Sequence, residues 1–175
     1  RMFEPTPYCS TSDFAKLMHT STHIHGVYAP RMRLNRVDFS GFHFVGCNFF
    51  NTVFNACVFA NVVMRMCFFE RCYLVNSSFT EADIQFSSFE GSILHTVSFA
   101  HAVLLSDNFN RIHAQDVSFQ ESDLSHTRFL HATLATVRFE NCTVQHTHFM
   151  PSHTTHCTFK GSSTEHARIY LSDLP

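Results

Sequence analysis

Cysteine and histidine are the reactive residue types in greatest excess here, with seven thiols and fourteen imidazoles in 175 residues. Together they could ligate zinc, and a cysteine beside a histidine could act as an activated nucleophile. The spacing argues against both. No Cys-x-x-Cys pair occurs; Cys47, Cys57, Cys67, Cys72, Cys142 and Cys157 instead lie at multiples of five from one another. Serine, histidine and aspartate are common enough to form triads by chance. None sits in a nucleophile-elbow motif, and there is no glycine-rich phosphate loop. The expectation is a chain with no catalytic residues, no metal and no cofactor. His126, His146 and His166 are twenty residues apart. Charging all three side by side would be repulsive, which makes them a candidate pH-sensitive ladder; a metal on that column is the weaker reading.

The interval of five extends through most of the chain. From Leu34, positions ending in 4 or 9 read Leu34, Phe39, Phe44, Phe49, Phe54, Phe59, Met64, Phe69, Leu74 and Phe79, and so on to Phe159, broken only by Ala114 and Thr154. Two residues earlier stands a small residue, as in Cys47, Thr52, Cys57, Val62 and Ser77. Two residues later, glycine or asparagine recurs (Gly41, Gly46, Asn51, Asn61, Asn76), the types that tolerate positive φ. Two inward positions spaced by two define a very short strand. A turn after each strand closes four strands into a square coil, and coils stacked by backbone pairing rise ~4.8 Å each. Residues twenty apart then stack. Phe39 to Phe159 and Phe49 to Phe149 form ladders on opposite sides, with smaller residues on the other two. Four phenylalanines per coil would overfill so narrow a core, whereas two and two fit. Ile112 compensates for Ala114, and Asp107, inward between Ser87 and Thr127, needs hydrogen bonds from them or from backbone.

In this register the chain resembles the pentapeptide-repeat proteins, whose unit is Ala-(Asp/Asn)-Leu-x-x. "ADIQF" (Ala82, Asp83, Ile84) and "SDLSH" (Ser122, Asp123, Leu124) match it closely. The resemblance covers about residues 32–162, with a fainter continuation through Ser172 and Leu174. It implies an all-β fold, a right-handed quadrilateral β-helix. The solenoid is assigned to residues 32–175 and an N-terminal cap to residues 1–31. The cap includes a short helix near 12–20, with Ser12 or Asp13 as its N-cap. The far end shows no cap, so the rod is expected either to pair end to end as a dimer or to be attached to further domains of a larger protein.

Net charge is −2 with histidine neutral, too weak to argue for nucleic acid or an acidic membrane. No apolar run approaches the ~20 residues of a membrane span. Cysteines in the small inward slot read as buried thiols, hence a reducing, cytoplasmic setting. On the outside, Val53, Tyr73 and Ile93 align on one side with Val75 beside them, and Phe50, Phe68 and Phe86 also point outward. Val53, Tyr73, Ile93, Val75 and Phe86 are the candidate surface for an unidentified protein partner. The functional expectation is a non-catalytic rigid scaffold or protein-interaction module. By resemblance it would be the repeat portion of a larger bacterial, effector-like protein. The alternative that the resemblance implies is a DNA mimic that binds type II topoisomerases such as gyrase and is linked to quinolone resistance. Fourteen acidic residues against twelve basic ones make a poor phosphate mimic.

Overall fold

The computed structural model describes residues 6–169; the register positions Ser172 and Leu174 lie outside them. Among the described residues one helix, α1 (Thr11–Thr20), precedes twelve short strands. β1 (His23–His25), β3 (His43–Val45), β5 (Val63–Arg65), β7 (Asp83–Gln85) and β9 (Val103–Leu105) form a five-stranded parallel sheet. β2 (Arg33–Asn35), β4 (Val53–Asn55), β6 (Tyr73–Ser78), β8 (Ile93–Ser98), β10 (His113–Ser118), β11 (Thr133–Arg138) and β12 (His153–Thr155) form a seven-stranded one. Single bridges make the two remaining sides, as in Asp38–Val58–Ser78 and Tyr28–Asn48–Phe68. Partners are twenty residues apart throughout, as in Val53↔Tyr73 and Tyr73↔Ile93. The result is the right-handed quadrilateral β-helix that the resemblance implied, with about seven turns.

Nearly every corner places a residue in the left-handed region; Pro151, after a cis peptide bond, is an exception. Glycine fills it at Gly41 and Gly46, but arginine, glutamate, histidine, methionine and phenylalanine fill it elsewhere, as at Arg71, Glu81, His126, Met66 and Phe86. Each non-glycine there costs roughly 1 kcal/mol. The corner N–H offsets this by donating to the next coil, as Glu81 does to Ala100 O (2.9 Å) and His126 to Gln145 O (3.0 Å).

The two phenylalanine ladders meet along the axis of the rod. Within a ladder, rings stack nearly parallel: Phe59–Phe79 at 4.4 Å and 2°, Phe119–Phe139 at 5.1 Å and 1°. Between ladders they meet edge to face, as in Phe99–Phe109 at 5.5 Å and 90°. Both geometries suit the ring quadrupole. One early coil departs from the volume expectation, because Phe39, Phe44, Phe49 and Phe54 are all buried in it. The order of the ladder suffers there. Phe49 and Phe69 are tilted by 46°, whereas Phe69 and Phe89 differ by 12° and Phe89 and Phe109 by 3°. Ala29, twenty residues before Phe49, leaves room on the N-terminal side. Phe14 of α1 is buried there, 5.5 Å from Phe49 and 6.3 Å from Phe39. The helix is thus a plug that supplies the missing ring. Its N-cap is Ser10, not Ser12 or Asp13: Ser10 Oγ accepts the Asp13 N–H at 3.1 Å. Asp13 lies in the first turn, where its charge complements the helix dipole.

The small slot is polar for a reason. Its side chain donates to the carbonyl twenty-three residues earlier: Cys47 to Ile24 O, Cys72 to Phe49 O, Thr127 to Leu104 O and Thr147 to Leu124 O. Several of its hydroxyls also accept a backbone N–H of the previous coil, as Ser77 does from Cys57 (3.1 Å) and Ser92 from Cys72 (3.0 Å). Cysteine, serine and threonine therefore pair backbone groups that would otherwise be buried alone. Asp107 fills the same slot and is fully buried. Its Oδ1 accepts the Ser87 N–H at 2.8 Å, and its own N–H donates to Thr127 Oγ1 at 3.2 Å. Its Oδ2 has no partner. Burial, only partly opposed by the Ser87 N–H, pushes this carboxyl well above the usual range.

Phe14→Ala is expected to lower stability by about 3–5 kcal/mol in denaturant unfolding, because the end of the core loses its plug. For Asp107 the folded-state pKa is raised. Its contribution is therefore fully present below about pH 4 and is lost as pH rises through the folded value. Asp107→Asn keeps the acceptor and removes the charge. Unfolding at pH 7 should show it more stable than the parent by about 1–3 kcal/mol, with the gap closing near pH 4.

Candidate functional site

Outward positions occur in columns, because each coil repeats the last. On the seven-stranded sheet, Val53 of β4, Tyr73 of β6 and Ile93 of β8 are direct cross-strand partners. Tyr73 and Ile93 are 43% and 40% exposed, and Val53 and Val75 are half-buried. Arg33 precedes Val53 in this column and His113 follows Ile93. The apolar stripe is thus three coils long with polar ends.

Phe86 is not part of it. It lies at the corner after β7, on the five-stranded sheet at the opposite side of the rod, and is 63% exposed. Its own neighbours are Met66, one coil back in the same corner column and 52% exposed, and Leu105, whose carbonyl accepts the Phe86 N–H at 3.1 Å. Phe68, 42% exposed, lies two residues beyond Met66. The five residues grouped from sequence therefore fall on two separate surfaces. Met66 was missed; the signal for it was the column Gly26, Gly46, Met66, Phe86, in which bulky residues replace glycine at positive φ.

His126, His146 and His166 do stack. Their ring centroids are 5.0 and 6.0 Å apart and their planes differ by 17° and 21°. A second stack, His23 over His43 at 4.4 Å on β1 and β3, was also legible from its twenty-residue spacing. Among the described residues no group of three or more histidine, cysteine or acidic side chains is placed to hold a metal ion. His148 lies on the neighbouring side. Burial first, then Arg168 and Arg128, hold its pKa below the usual histidine value.

The cysteines are thiols, and those of the small slot point into the core. Burial pushes Cys72 up to about 12 and raises Cys57 and Cys142. Cys67 is raised by the adjacent Cys47 thiol and by burial. None of these four is a nucleophile at neutral pH. A shallow trough of about 550 Å³ runs over β6, β8, β10 and β11. It is floored by Ser78, Ser98, Ser118 and Ala100, with Asp116 and Arg138 at its margins.

A parallel coil with five-residue sides around a packed core defines a solenoid repeat protein. Residues 57–95 match the family described as pentapeptide repeats (8 copies), and residues 92–169 match the pentapeptide repeat region. The chain belongs to the pentapeptide repeat family. No curated protein matches it by sequence. Among solved structures it is similar to trypsin-treated QnrB1, a plasmid-mediated fluoroquinolone resistance protein, with 18% identity and a TM-score of 0.71 over 87% of this chain and 79% of that one. Full-length QnrB1 gives 14% identity and a TM-score of 0.56, covering 81% of each chain. A pentapeptide repeat protein of the Arabidopsis thaliana thylakoid lumen gives 12% identity and a TM-score of 0.41, over 89% of this chain and 74% of that one. At these identities the likeness is one of fold. No helix among the described residues is long and apolar enough to cross a membrane.

In the native protein, the buried thiols Cys47, Cys57, Cys67, Cys72 and Cys142 should resist a thiol reagent at pH 8, while half-buried Cys9 reacts. Mass spectrometry of native and urea-unfolded samples checks this, with the five expected to label only after unfolding.

Proposed function

We propose that the chain is a non-catalytic, rigid scaffold that docks a protein partner on its early coils. The carrying observation is the in-register stripe Val53–Tyr73–Ile93. Tyrosine and isoleucine are exposed on a flat, rigid sheet that loses little entropy on binding. The Phe86–Met66 corner, on the other side, is a second apolar contact of the same scaffold. There, two large side chains hold a backbone conformation that glycine holds more cheaply. The protonated thiols of the core fit a reducing, cytoplasmic setting, bacterial or host, and attachment to further domains of an effector-like protein suits a rod with columnar faces. The runner-up, a DNA mimic acting on gyrase, requires a surface continuous in negative charge. Arg128, Arg138 and Arg168 and the histidine columns interrupt any such surface; absence of inhibition in a supercoiling assay at micromolar protein would remove it.

Two variants test the scaffold reading. A photo-crosslinking residue at position 73 or 93 should trap the same partner protein in a lysate of the source cells, and one at Glu81 should not. Sedimentation distinguishes a second copy of this chain. Different adducts at 73 and 93, or none, would sink the idea. Phe86→Asn should raise stability by about 1 kcal/mol, since asparagine tolerates positive φ. If that corner is a contact, the variant also weakens partner binding.

A further inference from the structure

The C-terminal coils carry a strip of cationic groups to which the scaffold reading gives no role. Arg128, His148 and Arg168 are successive bridge partners on one side of the rod. Two residues away along the chain, at the adjoining corner, His126, His146 and His166 form the stacked column with centroids 5.0 and 6.0 Å apart. Six groups therefore share three coils, about 10 Å along the axis.

Among the described residues, neither Arg128 nor Arg168 has an ion-pair partner; the bridges present are Arg65–Asp83, His101–Glu121 and Arg111–Glu90. The adjoining column toward the five-stranded sheet holds Ser125, Gln145 and Glu165, so Glu165 is the one carboxylate there. Asp123, further round that side, accepts hydrogen bonds from Ser125 Oγ (2.6 Å) and N–H (3.0 Å). On the other flank stand Leu130 and Met150. Along the axis the strip ends at Ser106 and Asn108. Burial first, and then Arg168 and Arg128 on either side, lower the basicity of half-buried His148.

We propose that this strip binds a compact multivalent phosphate anion, with affinity that rises as the imidazoles protonate. Guanidinium forks match phosphate oxygens in pairs, and imidazolium N–H groups at the coil spacing present further donors in line. The strip spans only three coils and has uncharged residues beyond its N-terminal edge. An oligophosphate group therefore fits better than a long polyanion, whose affinity grows with the number of phosphates neutralised. The faces on which His126, His146 and His166 meet one another are closed to stacking nucleic-acid bases.

Isothermal titration of the full chain with inorganic tripolyphosphate tests this. Binding should be saturable and at least tenfold tighter at pH 5.5 than at pH 7.5, although the ligand itself loses charge at the lower pH. Arg128→Gln with Arg168→Gln should lose tenfold or more at both pH values. His126→Asn with His146→Asn, chosen because asparagine accepts the corner backbone, should abolish the gain at pH 5.5 and leave the pH 7.5 value within about twofold. In the parent, NMR titration should show the His146 imidazole becoming more basic when the anion is added. Absence of saturable binding at pH 5.5, equal affinity in all variants, or an imidazole titration unmoved by ligand each overturns the proposal. Tighter binding of a short single-stranded oligonucleotide than of tripolyphosphate would do so in favour of nucleic acid.

Discussion

The hydrogen bond from one coil to the next, repeated at a twenty-residue register, is the constraint on which the rest of this molecule depends. Phe59, Phe79 and Phe99 each donate a backbone N–H to a carbonyl nineteen residues on, all at 2.7 Å. A slip of one residue would turn the phenylalanines outward and bring charged residues into the core. The register is defended on every side of the square at once, because each side must keep one large and one small residue inward. The stacked rings, with interplanar angles as small as 1–3°, follow from identical residues being held one coil apart.

The same constraint explains where strain is tolerated. Corners must take positive φ, yet most corner residues here are not glycine. The corner's inter-coil hydrogen bond and the packed sides flanking it hold the conformation, so the column becomes free to carry side chains of any chemistry. Hence one corner column runs from glycine through methionine and phenylalanine to histidine without a break in the fold. Chemistry on such a rod is columnar. A substituent repeated every twenty residues is a stripe, and a stripe is a flat, rigid surface suited to binding. The core has no room to bring reacting groups together around an enclosed substrate.

The core is less uniform than its period. Size alone would admit alanine in every small slot, yet cysteine, serine and threonine recur because a donor there meets a carbonyl from the coil before. Asp107 shows what happens when the slot is filled by a group with one oxygen too many: one finds the Ser87 N–H and the other finds nothing. At the N-terminus a helix substitutes for a coil by inserting Phe14 where Ala29 leaves the ladder open.

The sequence by itself determined the coil, its period, the two aromatic ladders and which residues share a column. Each of these follows from residue size and backbone reach repeated many times, so chance deviations average out. It also placed His126, His146 and His166 on one line, because a column is only arithmetic in twenties. The tertiary structure alone decided what depends on single contacts. It separated Phe86 from Tyr73 and Ile93 by the width of the rod, chose Ser10 as the cap, and fitted four phenylalanines into one coil beside Ala29. It also paired the small-slot side chains with particular carbonyls and set His148 between Arg128 and Arg168. Such outcomes turn on rotamers and on hydrogen-bond reach of a few ångströms between coils, quantities that no period in a sequence records.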